Sequence, residues 1–415
     1  MIKKMKTILI CIGIFLYALA SAQTDKEIVL GKSDSLYSNI LKEKRQIWVH
    51  VPSNDSPDGI FAQQHYPVIY LLDGWQQNFS IVTSIVKQLS GGSGNLAFPQ
   101  MIVVGIPNTD RTRDLTPTHV SMPPAGMDST EAARSGGGEK FISFIEKELI
   151  PHLDSLYPTA PYKILIGHSL GGLMAIYTLL NHSKWFNAYV AIDPSMFWDN
   201  KIVLEQAKAM LPQQQFKNTS LFLATANTMN SGFDTSIIGP IMRCNFQLRD
   251  YLNTYKNNEL ISGYKYYVDY DHNSVPLPAE YDALRFLFDF YTLNFPFASF
   301  FSPSYTGDTI LAAHYKAISE RMGYKVSPPE QFVNGIAYQL LSTKQFGRAF
   351  YFFKMNIENY PASFSAYNSM GDFYAAKGDT QKAIDYYNKV LELRDWPDTR
   401  EKLQKLKGNK KTTLE

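Results

Sequence analysis

The chain changes its hydrophobic rhythm twice. Between residue 47 and about residue 290, short apolar runs alternate with longer stretches whose apolar residues recur every three or four positions. The runs IWVHV (47–51), VIYLLD (68–73), MIVVGI (101–106), YKILIGH (162–168), AYVAID (188–193), SLFLATA (220–226) and YKYYVDY (264–270) predict strands. Several are apolar on successive residues, as in strands covered on both faces. Helical stretches are predicted near 138–156, 170–182, 201–210, 240–256 and 278–291. This alternation predicts an α/β fold: a mostly parallel sheet, helices on both faces and right-handed crossovers.

The segment FPFASFFSPSYTGD (295–308) breaks the rhythm with Pro, Ser and Gly, and a helix near 309–322 and then SPPEQ (327–331) follow. From 332 onward the pattern is all helical and repeats. Ala349 and Ala383 stand 34 positions apart, each followed four residues later by an aromatic, Phe353 and Tyr387, and Ala337 and Gly371 share the same offset. Pro361 closes the first unit and Pro397 falls just past the second. That spacing predicts a small all-α tetratricopeptide-like domain, in which small residues let paired helices approach. Two units are few for a free-standing array, so the helix near 309–331 is expected to cap it, or the array to lean on the first domain.

The N-terminus changes the picture of where the chain works. Lys3, Lys4 and Lys6 precede the apolar run ILICIGIFLYALA (8–20), and Ala20-Ser21-Ala22 supplies a small-x-small cleavage pattern. The run is shorter than the roughly 20 residues that a membrane span needs. The expected division is a signal peptide at 1–22, the α/β domain at 23–294, a linker with a helix at 295–327, the helical domain at 328–405 and a frayed tail at 406–415. Export to the periplasm or beyond is the expected localisation, with no transmembrane span in the mature chain. Loss of the three lysines takes the net charge from +2 to −1, which gives no electrostatic case for nucleic acid. Cys244 is then the one remaining cysteine, so no intrachain disulfide is expected.

Candidate chemistry centres on LIGHSLGG (165–172), a G-x-S-x-G string between a predicted strand and a predicted helix. A nucleophile elbow needs that context: a serine on a strained turn, with small neighbours at Gly167, Gly171 and Gly172 that admit close backbone packing. Ser169 is the candidate nucleophile. A serine hydroxyl needs a base, and in this fold class the order is serine, acid, histidine. His50, His65, His119 and His152 precede the serine, His182 lies at a helix end and His314 lies past the sheet. His168 belongs to the elbow, with its side chain expected to face away from the Ser169 Oγ. His272, at the end of a late strand, is the candidate base. For the acid, Asp234 after strand 220–226 is preferred, with Asp193 at the end of AYVAID as the alternative and a helix cap as the other reading of Asp193. The N–H groups of Leu170 and of Trp75, in YLLDGWQQNF, are the candidate oxyanion donors. No metal motif and no phosphate loop stands out; Gly136-Gly137-Gly138 lacks the lysine of a P-loop. No cofactor or metal is expected.

Five runs, YPVIYLLDG, VVGIPNTDRTRDLTPT, LIGHSLGG, DPSMFWD and DHNSVPLPAEYDALRFLF, together resemble the putative-esterase (esterase D-like) family of α/β-hydrolases over about residues 25–292. That family includes enterobactin and other siderophore esterases, S-formylglutathione hydrolase, feruloyl and acetylxylan esterases and mycolyltransferases. The resemblance implies an α/β-hydrolase three-layer sandwich and a serine carboxylic-ester hydrolase using Ser169 and His272, with Trp75 and Leu170 N–H groups as the oxyanion hole. It also implies that Asn108–Asp114, with Arg111, walls the active site; an Arg–Asp network holding a long loop is the other reading. The family often carries Ser where this chain has Asp193.

Trp75, Phe79, Phe197 and Trp198 are expected on loops near the mouth, where they would suit an aromatic or sugar-bearing ester such as a siderophore, feruloyl or acetyl-sugar ester; plain packing is the other reading of aromatics in such loops. Two alternatives stand beside hydrolysis. One is a non-catalytic binding protein whose helical repeats dock a partner or another copy of the chain; the other is acyl transfer through the same acyl-enzyme.

Overall fold

The computed structural model describes residues 29–52, 60–61, 64–90, 97–122, 127–227, 235–295, 297–302 and 307–412. The signal-peptide reading of residues 1–22 lies outside them. Eight strands form one sheet: β1 (Lys32–Ser38), β2 (Glu43–His50), β3 (Tyr66–Leu72), β4 (Ile102–Ile106), β5 (Thr159–His168), β6 (Ala188–Ile192), β7 (Ser220–Ala226) and β8 (Ile261–Tyr267). Their spatial order is β1-β2-β4-β3-β5-β6-β7-β8. β1 and β2 pair antiparallel, as do β2 and β4, and every later pair is parallel. The seven expected strands are all present. β1 was not expected, because its residues KSDSLYS are mostly polar; an edge strand with one wet side tolerates that.

The helices of the first domain are α1 (Gln76–Ser90), the short α2 (Arg111–Asp114) and α3 (Ser129–Ala133), α4 (Gly138–Phe144), which runs through a π-helical turn at Ile145–Leu149 into α5 (Ile150–Leu156), α6 (Leu170–Asn181), α7 (Trp198–Met210), α8 (Thr235–Thr254) and α9 (Pro276–Leu287). Alternating residues of the strands point to opposite faces. Ile69, Leu71, Ile164, Ile166, Val190 and Ile192 join one core with α1 and α9, while Val68, Tyr70, Leu72, Leu165, Tyr189 and Ala191 join a second with α4 to α8. The result is the three-layer sandwich that the alternation predicts.

The C-terminal region holds α10 (Gly307–Met322), α11 (Glu330–Ser342), α12 (Phe346–Asn359), α13 (Phe364–Lys377), α14 (Thr380–Leu393) and α15 (Pro397–Thr412). From Glu330 to Phe364 and from Phe346 to Thr380, helix starts recur 34 positions apart, consistent with the repeat read from the sequence. A side chain at Gly371 would strike the Tyr387 ring at 2.4 Å, which is why a small residue stands there. α15 continues to Thr412, through most of the segment expected to fray.

The helical region shares the first core. The Tyr162 and Phe288 rings lie 5.9 Å apart, Phe288 and Tyr291 6.4 Å, and Tyr291 and Tyr315 of α10 6.5 Å. Phe300 meets Phe332 and Phe352 at 6.3 and 6.2 Å. Arg348 donates to the carbonyls of Phe300 and Ser302 at 2.6 and 3.0 Å, fixing the connecting segment. Gln64, just before β3, donates to the Tyr360 hydroxyl at 3.4 Å, and Tyr162, in the amino-terminal half of β5, packs on Phe288. The helices therefore meet the sheet away from its carboxyl edge. Among the described residues no helix is long and apolar enough to cross a membrane.

Candidate active site

Three loops leave the carboxyl edge of the sheet through a non-glycine residue with positive φ: Asp73 after β3 (φ 53°), Ser169 after β5 (φ 58°) and Asp193 after β6 (φ 40°). Such conformations cost roughly 1–3 kcal/mol each and persist where the surroundings enforce them. At Ser169 the enforcement is visible. Its N–H donates to the Ile192 carbonyl at 2.9 Å, and its carbonyl accepts from Leu173 at 2.9 Å and from Ser195 at 3.0 Å. A Cβ on Gly167 would lie 2.2 Å from the Gly171 carbonyl oxygen, so strand and helix approach too closely there for any side chain. The strand–turn–helix context expected of the elbow is present, and the Ser169 Oγ lies 3.3 Å from the Ser195 Oγ.

His272 sits in the loop between β8 and α9. Asp271 shapes that loop by accepting from the N–H groups of Asn273 and Ser274 at 3.0 and 2.9 Å, and the Ser274 hydroxyl helps hold its carboxyl below the usual range. The His272 Nδ1 is 2.6 Å from the Asp193 Oδ2. Asp193 is fully buried. Its other oxygen accepts from the Ala226 N–H and from the Asn245 Nδ2, both at 3.1 Å. A buried carboxylate is tolerable only when its oxygens find donors, and this one has three.

The chain belongs to the putative esterase family. A family model described as putative esterase matches residues 38–231. The crystal structure of an IroE-like serine hydrolase from Shewanella oneidensis shares 31% identity with a TM-score of 0.67, covering 79% of this chain and 99% of that one. The siderophore enterobactin esterase of Emericella nidulans is 29% identical over 195 residues, 44% of this chain and 61% of its own length. Ferri-bacillibactin esterase BesA of Bacillus subtilis is 32% identical over 169 residues, 39% of this chain and 56% of its own length. The matches thus span about three fifths of the length of these curated relatives.

Within this esterase-family chain, the residues singled out from the sequence divide. Ser169, Leu170, Trp75 and Arg111 lie at the carboxyl edge. Leu170 opens α6, whose first N–H groups have no acceptor within the helix. The Trp75 N–H donates to the Asp73 carbonyl at 2.8 Å, while its side chain is 53% exposed. Arg111 grips Asp73 with Nε and Nη2 at 2.8 and 2.9 Å, and Asn108 donates to the same carboxylate. Farther along, buried Arg45 pairs with Asp114 at 2.6 Å, and Arg113 bridges Glu43 and Asp114. The 108–114 segment is therefore an Arg–Asp network that anchors its loop to Asp73 at the end of β3 and to β2.

Two expectations about the mouth are corrected. Phe79 is only 2% exposed: it belongs to α1, where Phe79, Val82, Thr83 and Val86 make one buried face, and it packs edge-on against Trp48. That spacing of three and four was legible in QQNFSIVTSIV. Trp198 is 1% exposed and its indole N–H donates to Thr118, pinning the long loop to α7. Phe197 is half-buried against the same core. Asp234, the preferred acid, lies outside the described residues; the carboxylate on His272 is that of the alternative, Asp193. Sequence reasoning passed over Asn245 and Ser195, since neither stands in a pattern, and it turned His168 away from the site. The structure lays the His168 ring against that of His272. Among the described residues no group of three His, Cys, Asp or Glu side chains converges to hold a metal ion.

Proposed function

We propose that the protein is an exported serine carboxylic-ester hydrolase working through Ser169, His272 and Asp193. The 2.6 Å contact between the His272 Nδ1 and the Asp193 Oδ2 carries the reading. With Nδ1 committed to the carboxylate, Nε2 is the nitrogen free to take a proton. As the Ser169 Oγ attacks the ester carbonyl, His272 takes the hydroxyl proton and Asp193 stabilises the imidazolium without accepting that proton itself. The N–H groups of Leu170 and Trp75 receive the carbonyl oxygen as it becomes negative, Trp75 turning from the Asp73 carbonyl to do so. Collapse expels the alcohol, which leaves with the proton from His272, and the acyl group remains on Ser169. Water, deprotonated by His272, then attacks the acyl carbon; the bond to the Ser169 Oγ breaks, His272 returns the proton to that oxygen, and the acid is released.

Siderophore esters are the substrate class that the relatives' names favour. Trp75, exposed at the carboxyl edge, suits an aromatic acyl group. The test is turnover of p-nitrophenyl acetate, and of ferric and iron-free siderophore esters, by the wild-type protein and by Ser169→Ala. Loss of turnover in the variant supports the reading; equal rates overturn it.

A further inference from the structure

The backbone of the loop that carries His272 is tied to Asn227, whose N–H and Nδ2 donate to the carbonyls of Tyr270 and Val268 at 2.8 and 2.9 Å, but its side chains are little packed. Val268, Tyr270, Asn273 and Ser274 are exposed, and among its side chains only Val275 is fully buried. The Asp193 contact fixes one point of the imidazole, the Nδ1, and a single hydrogen bond leaves the ring free to rock about it. A base must present Nε2 to the nucleophile within a narrow range of angles, and misplacement by about 1 Å can cost about 100-fold in rate. A second contact on the ring is therefore required.

His168 supplies one. It precedes Ser169 on β5, and with Ile164 and Ile166 it points to the face covered by α1 and α9. Its ring centroid lies 4.5 Å from that of His272, with 41° between the planes. Its Nε2 is buried and has no hydrogen-bond partner. The His168 side chain also lies against the backbone of His272. Burial first, then the neighbouring His272 and Arg111, push the His168 ring down to about 3, so it stays neutral while His272 cycles through its cation. An imidazolium beside the face of a neutral ring is attracted to it, whereas two cations would repel.

We propose that His168 is a positioning residue for His272: its ring, carried on the same strand end as the nucleophile, fixes the plane in which the base meets Ser169. This rests on the reading of His272 as the base. Because residues 168 and 169 are consecutive, the base is referenced directly to the nucleophile rather than through the exposed loop.

Two variants test this, His168→Ala, which removes the ring, and His168→Phe, which keeps a ring face without nitrogen. Each is read by steady-state kinetics and by the far-downfield proton resonance of the His272 Nδ1–H, which reports the bond to Asp193 without requiring turnover. His168→Ala is expected to lower kcat about 10- to 100-fold with KM changed less than about threefold, and to broaden the resonance. His168→Phe is expected to keep a sharp resonance and to lose less of kcat. Equal losses in the two variants, or a sharp resonance in His168→Ala, overturn the proposal. If the wild-type protein shows no Ser169-dependent turnover, the functional reading fails by itself, and the resonance still decides whether His168 orders His272. Should His168→Ala fail to fold, the comparison of His168→Phe with wild type decides: broadening with a phenyl ring in place overturns it.

Discussion

His272 and Asp193 are joined at 2.6 Å, so the loop after β8 takes its carboxylate from the end of β6. β6 lies next to β5, and Ser195, two residues past Asp193, touches both the Ser169 carbonyl and its Oγ. One turn after β6 therefore touches both His272 and Ser169. Asn245 on α8 completes the arrangement from outside, by donating to the oxygen that His272 leaves free.

Asp193→Asn should lower kcat by on the order of 1,000-fold with a small change in KM, because an amide cannot stabilise the imidazolium and favours the wrong tautomer. Asp234→Asn should leave kcat within a factor of about three, the rate tracking whichever carboxylate faces His272. Steady-state kinetics of the two variants on one chromogenic ester settles the choice. Comparable losses at 234 and none at 193 would return the role to Asp234.

The two tryptophans separate packing from contact with substrate. Trp198→Ala should cost roughly 3–5 kcal/mol of stability, as expected for emptying a fully buried indole site and removing its bond to Thr118. Trp75→Ala keeps the backbone N–H and touches no core. It should leave the melting temperature nearly unchanged and raise KM for aryl esters more than for acetyl esters. Thermal unfolding together with KM values on paired substrates distinguishes the two. A KM effect confined to Trp198 would restore the expectation that it lines the mouth.

How much of this was legible follows from what each signal depends on. Strands buried on both faces announce themselves as apolar runs, so β3 to β7 were readable, while β2 and β8 showed through apolar and aromatic residues on partly exposed strands; a glycine-flanked serine between a strand and a helix is a local pattern, so Ser169 was readable too. β1 is a polar edge held by backbone pairing, which leaves no hydrophobic trace. In the sequence Asp193 and Asp234 each follow an apolar run, and nothing local ranks one above the other; the positive φ of Asp193, whose carboxylate meets His272, is a tertiary outcome. The His168 side chain was expected to face away from the Ser169 Oγ, and nothing local reports that His272 arrives against its ring from another loop. Asn245 has no local signal at all, since its role exists only once α8 packs over β7.

The helical region should not behave as a detachable module. Tyr291 and Phe300 of the segment after α9 pack with Tyr315 of α10 and Phe352 of α12, so ending the chain at 327 would bare the large apolar surface that α11 to α15 cover. The full chain should unfold in one calorimetric transition. The truncated chain should aggregate or melt at a clearly lower temperature, with any remaining ester turnover lost in parallel. Two separate transitions in the full chain, or a truncated protein that is soluble, stable and active, would contradict a shared core.

Glu280 offers a pH test of the same core. It is 2% exposed on α9, its Oε2 has no hydrogen-bond partner, and burial pushes its carboxyl from 4.5 up to about 8. Below about pH 4.5 the folded and unfolded chains both hold this proton, and the group makes no difference. As pH rises, the unfolded chain releases the proton first while the folded chain must keep it. Stability then falls by up to about 1.4 kcal/mol per pH unit until the folded carboxyl also ionises near pH 8. Glu280→Gln keeps the shape and the neutral state and removes the titration. Its melting temperature should change less with pH than that of the wild type between pH 5 and 8, with the variant increasingly the more stable of the two toward pH 8. Parallel curves across that range would mean that Glu280 is already ionised in the fold.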